Sequence, residues 1–323
     1  MSDHVRCIRV GAAAIVCALL FRAGVSSLPG SLGRRAEQWN TALPNISETG
    51  QDVRFSSSVE VFVPSYPAES AAPTVSAVRE PERPVLEAVP AVNDTAHAAP
   101  DLEELLCRPL RWDLREGNPT VLILHTHATE SYTKQGESYS ETAAWRTLDE
   151  NFNMLSVGEH VAALLENAGI RVIQDRQLHD HPSYNGSYGN SRRSIEKILE
   201  ENPSVQLVLD LHRDAAEAPG GGQLRTVVET DRGDSALLML VMGSSFEHYT
   251  DNLSLALQMT AQLEADTPGI TRPIQLRRAA FNQDLCPGSL LVEVGTAGNS
   301  RTEALLAAEA LANAIIALAN GCN

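Results

Sequence analysis

From about Leu105 to the C-terminus, short apolar runs alternate with amphipathic segments, and this alternation restricts the fold more than any other feature of the chain. The runs at Val121 to Leu124, Arg171 to Gln174, Val205 to Leu211, Ala236 to Met242 and Leu290 to Val294 are short and β-branched or leucine-rich. Such runs suit strands buried on both faces. Between them, Asn153 to Ala168 sets Met154, Leu155, Val157, Val161, Leu164 and Leu165 on one helical face and meets Gly169 as its stop. Ser191 to Glu201 runs up to Pro203, Leu253 to Glu264 repeats the stripe, and Thr302 to Ala319 follows a capping box formed by Ser300 and Glu303. Strands that alternate with helices in this way predict an α/β fold with a mainly parallel central sheet flanked by helices.

Upstream the texture differs. With 323 residues and about 150 per domain, two units are expected, one of them not a compact core. Val10 to Phe21 is an apolar run bounded by Arg9 and Arg22, which predicts a membrane anchor extended toward Leu28 or, as the rival reading, a cleaved secretory signal. Either places the rest of the chain outside the cytoplasm, single-pass at the cell membrane or secreted. Nine of the 17 prolines fall between Ser27 and Leu106, which predicts an extended, disordered linker broken by a short strand at Val59 to Val63. The expected organisation is therefore 1–26 anchor or signal, 27–106 linker and 107–323 folded domain.

Two compositional facts narrow the function. Lys and Arg total 25 against 41 Asp and Glu, a net charge of −16 that argues against nucleic acid as a partner. The five cysteines form no CxxC pair, which excludes a zinc ribbon or a dithiol redox motif and favours free thiols.

Polar residues at the carboxyl ends of strands carry the chemistry in open α/β sheets. The first strand runs into His125-Thr-His127-Ala-Thr-Glu130-Ser-Tyr132, the third ends in Asp210-Leu-His212-Arg213-Asp214, and the last contains Glu293-Val-Gly295. Two imidazoles and a carboxylate leave a fourth tetrahedral position open, the composition of a catalytic zinc site. We assign His127, Glu130 and His212 as metal ligands. Zinc lowers the pKa of a bound water toward 7, and a carboxylate off the metal can relay its proton to a leaving amine. Glu293, a charge inside an apolar run, is placed for that role, and Arg213 either pairs with Asp214 or stabilises an oxyanion or substrate carboxylate. His125 is expected behind the ligands, although alternate residues of an extended segment share a face, so His125 and His127 together with Glu130 displaced stays open. Asp210 is expected to orient an imidazole. Tyr184, Tyr188, Asn282 and Gln283 lie in loops as substrate contacts or plain turn residues. His179-Asp180-His181 is the candidate spare site, and Cys286 is expected to be structural.

These same stretches, with VLILHTHATESY (121–132), the segment 151–180, PSYNGSY (182–188), LVLDLHRDA (207–215) and FNQDLCPGSLLVEVGTAGNS (281–300), resemble the stage II sporulation protein P family. The resemblance covers roughly 115–320. It implies a fold like that of N-acetylmuramoyl-L-alanine amidases and a zinc-dependent cell-wall hydrolase anchored by one N-terminal helix. It implies cleavage of the amide between muramic acid and the stem peptide in peptidoglycan, with a second activity on peptide cross-links. It further implies work at the engulfing septum of an endospore former, beside a stage II sporulation protein D-like lytic transglycosylase. On the resemblance, too, His127, Glu130, His212 and Glu293 are the site residues. A zinc carboxypeptidase-like peptidase and a non-catalytic, membrane-tethered wall-binding module remain the alternatives.

Overall fold

Four consecutive apolar side chains, Val121, Leu122, Ile123 and Leu124, need cover on both sides, and the fold supplies it by placing their strand inside a seven-stranded sheet. The computed structural model describes residues 89–110, 112–115, 117–133, 145–217 and 222–321, all within the second of two units into which the chain divides, Arg79–Asn323. The anchor or signal at 1–26, most of the expected linker and the strand expected at 59–63 lie outside the described residues.

In chain order the elements are β1 (Val92–Asp94), α1 (Leu102–Leu106), β2 (Val121–Leu124), α2 (Met154–Asn167), β3 (Val172–Gln174), α3 (Ser187–Glu201), β4 (Leu207–Asp214), β5 (Val227–Thr230), β6 (Gly233–Ala236), β7 (Leu238–Gly243), α4 (Tyr249–Asp266), β8 (Ile274–Arg277), β9 (Ser289–Thr296) and α5 (Arg301–Gly321). The sheet order is β1-β8-β7-β9-β4-β2-β3. Every neighbouring pair is parallel except β7 with β9, so the mainly parallel α/β expectation holds. β5 and β6 form a separate antiparallel hairpin.

Alternation along each strand divides the core. Val121, Ile123, Leu207, Leu209 and Leu211 join the side chains of α2, α4 and α5 on one face. Leu122, Leu124 and Val208 meet Ile195 and Ile198 of α3 on the other. Each fully buried aliphatic side chain contributes about 1.5–3 kcal/mol before the entropy of ordering is subtracted. The ends of the helices follow the local signals. Asn153 caps α2 by accepting from Leu155 N, and Gly169, at φ +80°, ends it. Ser300 and Glu303 close the expected capping box, with Glu303 N donating to Ser300 Oγ at 3.2 Å and Ser300 N to Glu303 Oε2 at 3.1 Å.

Three features depart from the expectation. The linker predicted through residue 106 ends earlier: β1 pairs with β8, and Leu105 and Leu106 of α1 are buried in the main core. Alanines and prolines around these short elements hide them from a periodicity reading, because three and five residues are too few to show a period. β8 and the β5–β6 hairpin were also not anticipated. α5 is long and apolar enough to cross a membrane, but its Ala304, Ala307, Ala308, Leu311, Ala312 and Ile315 are buried in the core, which accounts for its composition.

Candidate active site

Strand order places the site. β9, β4 and β2 are neighbours, so their carboxyl ends open side by side. The register aligns Leu124 with Asp210 and His212 with Glu293. Residues aligned across parallel strands point to the same face, so His212 and Glu293 share one. β4 runs on through Asp214 and shifts register between His212 and Asp214, so His212 stands on a strand and not in the loop beyond it.

The turn after β2 is tied down by Asp210, which accepts from Thr126 N at 2.8 Å and from Thr126 Oγ1 at 2.6 Å. Glu130 N then donates to His127 O at 3.1 Å, and the turn presents both side chains toward β4. The ring centroids of His127 and His212 lie 5.2 Å apart and nearly perpendicular. His212 Nδ1 is 3.6 Å from Glu130 Oε2, and its Nε2 is 3.0 Å from Asp210 Oδ1, so Asp210 flanks the imidazole it is expected to orient. His127 Nδ1, His212 Nε2 and Glu293 Oε2 are buried without a well-aligned hydrogen bond among the described residues. Buried polar atoms are rarely left so, and three in one site call for a ligand or a reacting group. His127, Glu130 and His212 are the residues that could hold a cation. Among the described residues no three His, Cys, Asp or Glu side chains are already closed around a common centre, so binding would draw these donors together.

The supporting residues differ from the sequence reading. Arg213 is buried, with Nε donating to Ser131 O at 3.0 Å and Nη2 to Trp145 O at 2.8 Å, and Nη1 3.9 Å from Glu130 Oε1. Its backbone N also donates to Glu130 Oε2 at 3.2 Å. Arg213 thus holds the Glu130 loop from behind, and of the two roles expected of it the pairing with Asp214 is not seen, because Asp214 pairs instead with Arg272. His125 turns away from the site: Nδ1 lies 3.1 Å from Leu211 O, and its ring packs so tightly against Gly158 of α2 that a Cβ there would come within 2.4 Å of Nε2. The pairing of His125 with His127 on one ion is therefore not the arrangement seen. The spare site dissolves into a brace: His179 Nε2 meets Asp175 Oδ2 at 3.0 Å, and Asp180 accepts from Thr129 Oγ1 at 2.6 Å and from Arg146. Gln283 serves the backbone of β7, through Gly243 N and Val241 O. Cys286 is a buried free thiol, the structural role expected.

Electrostatics separate the two glutamates. Burial alone would raise both. At Glu130, Arg213, the hydrogen bond with His212 and His127 outweigh burial and hold the carboxyl far below its ordinary range. At Glu293 burial prevails, helped by Asp214 and Glu130, and pushes the carboxyl up to about 8. Burial lowers His127 to about 4, so its imidazole is neutral, the form that binds metals. Against burial, Asp210 and Glu130 raise His212 well above its ordinary value.

An aromatic wall closes one side. Tyr184 stacks on His127 at 4.4 Å with the Arg146 guanidinium 4.5 Å from its ring centroid, and Tyr188 meets His127 edge-on at 5.6 Å. Asn282 Nδ2 donates to Tyr188 O at 2.9 Å. Arg146, paired with Asp180 and 3.5 Å from Glu130 Oε1, went unrecognised in the sequence because it belongs to no motif.

A family model described as stage II sporulation protein P matches residues 42–316. Stage II sporulation protein P of Bacillus subtilis (strain 168) is 28% identical over 207 residues, 60% of this chain and 49% of that protein. The chain thus spans about half the length of the curated relative it matches. Similar solved structures include the N-acetylmuramoyl-L-alanine amidase AmiC2 of Nostoc punctiforme, at 17% identity, 61% of this chain, 96% of that one and a TM-score of 0.39. The CwlD amidase from Clostridioides difficile, solved in complex with the GerS lipoprotein, is 15% identical over 62% of this chain and 98% of that one, with a TM-score of 0.40.

Proposed function

Because the chain belongs to the stage II sporulation protein P family, we propose that it is a zinc-dependent peptidoglycan hydrolase that cleaves the amide between N-acetylmuramic acid and the L-alanine of the stem peptide. We place its work in septal wall degradation during engulfment, outside the membrane and beside a stage II sporulation protein D-like transglycosylase, with peptide cross-links as a second substrate. The observation that carries the chemistry is Glu293: a carboxylate aligned with His212, its Oε2 sealed and unpartnered, its proton affinity raised to the working range of a general base.

The donor set suits the metal. Ligands of one tetrahedral zinc stand about 3.3 Å apart, and two imidazoles bound to it have centroids about 5 Å apart. Glu130 Oε2 and His212 Nδ1 at 3.6 Å, and the two rings at 5.2 Å, are each near that spacing pair by pair, so a small inward movement of the three donors would close them on one ion. His127, Glu130 and His212 would hold the ion, which would supply a Lewis acid and an acidified water. Glu293 accepts a proton from the attacking water and returns it to the amine nitrogen as the amide bond breaks. Asp210 keeps the His212 ring in place, and Arg213 and Arg146 hold Glu130 ionised. Because both arginines already serve Glu130, Asp180 and main-chain carbonyls, a substrate's terminal carboxylate would meet a paired cation, which disfavours the carboxypeptidase reading.

The test is digestion of purified sacculi by the full chain, with released stem peptides identified by mass. Amide cleavage is expected to cease with EDTA, return with zinc, and be absent in His212→Ala together with bound metal. Turnover unaffected by both treatments refutes the proposal.

A further inference from the structure

The arginines at this site are already committed. Glu130, Asp210 and Glu293 converge, while Arg213 spends its donors on Ser131 O, Trp145 O and Glu130, and Arg146 on Asp180 and Glu130. Amide hydrolysis passes through a tetrahedral species whose former carbonyl oxygen gains negative charge, and donors aimed at that oxygen are commonly the largest single contribution to the rate. With the arginines committed, any side-chain donor that this site adds to the Lewis acid must come from another residue.

Tyr188 is built to supply it. Its ring lies edge-on to His127, at 5.6 Å between centroids, and nearly parallel to His212 at 6.5 Å, so it faces both imidazoles at once. It is half-buried, and among the described residues its hydroxyl has no protein partner, whereas its main-chain carbonyl accepts twice, from Asn282 Nδ2 at 2.9 Å and Ser191 Oγ at 3.3 Å. Ser191 Oγ lies 2.8 Å from Thr126 Oγ1, whose proton goes to Asp210. One network therefore fixes Tyr188, the turn bearing His127 and the carboxylate orienting His212. The anchor is strained: Phe281 and Asn282 both occupy the left-handed region, at φ 52° and 58°, where a bulky aromatic residue is seldom found. Strain of this kind persists where surrounding structure enforces it and clusters at functional sites. The Phe281 ring packs 6.0 Å from that of Tyr188. Tyr184, by contrast, lies flat on His127 and is 54% exposed, a position at the mouth.

We propose that the Tyr188 hydroxyl is a catalytic donor that hydrogen-bonds the carbonyl oxygen of the scissile amide and strengthens that bond as the oxygen becomes negative. The phenol keeps its proton throughout; Glu293 alone carries the proton from water to the leaving nitrogen. The inference rests on the hydrolase reading above.

The test compares the full wild-type chain with Tyr188→Phe and Glu293→Gln on purified sacculi. Tyr188→Phe keeps the ring against His127 and His212 and removes only the hydroxyl. Its kcat is expected to fall about 10²- to 10³-fold, the loss typical of one oxyanion donor, with KM within about twofold, bound zinc at the wild-type ratio and the thermal midpoint unchanged. A kcat within about threefold of wild type overturns the inference while leaving the hydrolase reading standing. A loss of activity accompanied by a loss of zinc also overturns it, since Tyr188 would then serve the ligands and not the substrate. A wild-type chain that leaves sacculi uncut removes the hydrolase reading, and this inference with it.

Discussion

Glu293→Gln keeps the shape of the side chain and removes its charge, so it is expected to move activity and stability in opposite directions. In the folded, metal-free chain burial raises the Glu293 carboxyl from 4.5 to about 8. The folded state therefore prefers this side chain protonated. Wild-type stability is complete below the unfolded value near 4.5 and declines as pH rises through about 8, where the buried carboxylate must ionise. At about 1.4 kcal/mol for each tenfold change in proton affinity, the full displacement sets an upper bound of about 5 kcal/mol. Oε2 is sealed but the residue as a whole is only half-buried, so solvent screens part of this, and about 2–4 kcal/mol is expected. Glutamine carries no charge at any pH. In EDTA, urea unfolding should show Glu293→Gln more stable than wild type by that amount at pH 8.5 and nearly equal at pH 4.5. Groups that titrate alike in both proteins cancel in the difference. Amide cleavage by the zinc-loaded variant should fall about 10²- to 10⁴-fold, the usual contribution of a general base. A variant no more stable than wild type at pH 8.5, or a gap that persists at acid pH, would refute the argument that burial sets this proton affinity.

Two further outcomes are expected. Gly158→Ala would bring a Cβ within 2.4 Å of His125 Nε2 and 2.8 Å of Gln174 Nε2, displacing the ring from Leu211 O; a loss of about 1–3 kcal/mol follows, read as a lowered thermal midpoint, and an unchanged midpoint means α2 yields freely. Tyr184→Ala removes an exposed ring stacked on His127; as a substrate contact, its loss of about 0.5–1.5 kcal/mol of stacking raises KM about 2- to 13-fold at near-constant kcat, whereas an unaltered KM assigns the ring to the histidine alone.

The β2 run shows how far local pattern reaches. Val121 to Leu124 reads as a strand buried on both faces and is one, with each alternate pair entering a different core cluster. The Ser300 and Glu303 box and Gly169 likewise act through neighbours three or four residues away, which a one-dimensional reading can see. β1 and α1 escaped it because their stability comes from β8 and α4, roughly 150 to 180 positions along the chain, and not from their own composition. The expected pairing of Arg213 with Asp214 fails for the same reason. The two are adjacent in sequence, but the partners Arg213 takes, Ser131 O and Trp145 O, are 82 and 68 residues away.

Side-chain chemistry and short-range periodicity belong to the sequence, and from them came the α/β alternation, the three polar strand ends and the identity of His127, Glu130, His212 and Glu293 as residues worth bringing together. Their convergence belongs to the tertiary structure. Only the order β9-β4-β2 makes the three ends adjacent, and only the register sets Glu293 beside His212. A one-residue slip of β9 would turn that carboxylate to the opposite face. The proton affinity of Glu293, the neutral state of His127 and the aromatic wall of Tyr184 and Tyr188 follow from burial and distance, quantities that arise when remote segments pack and that no single segment contains.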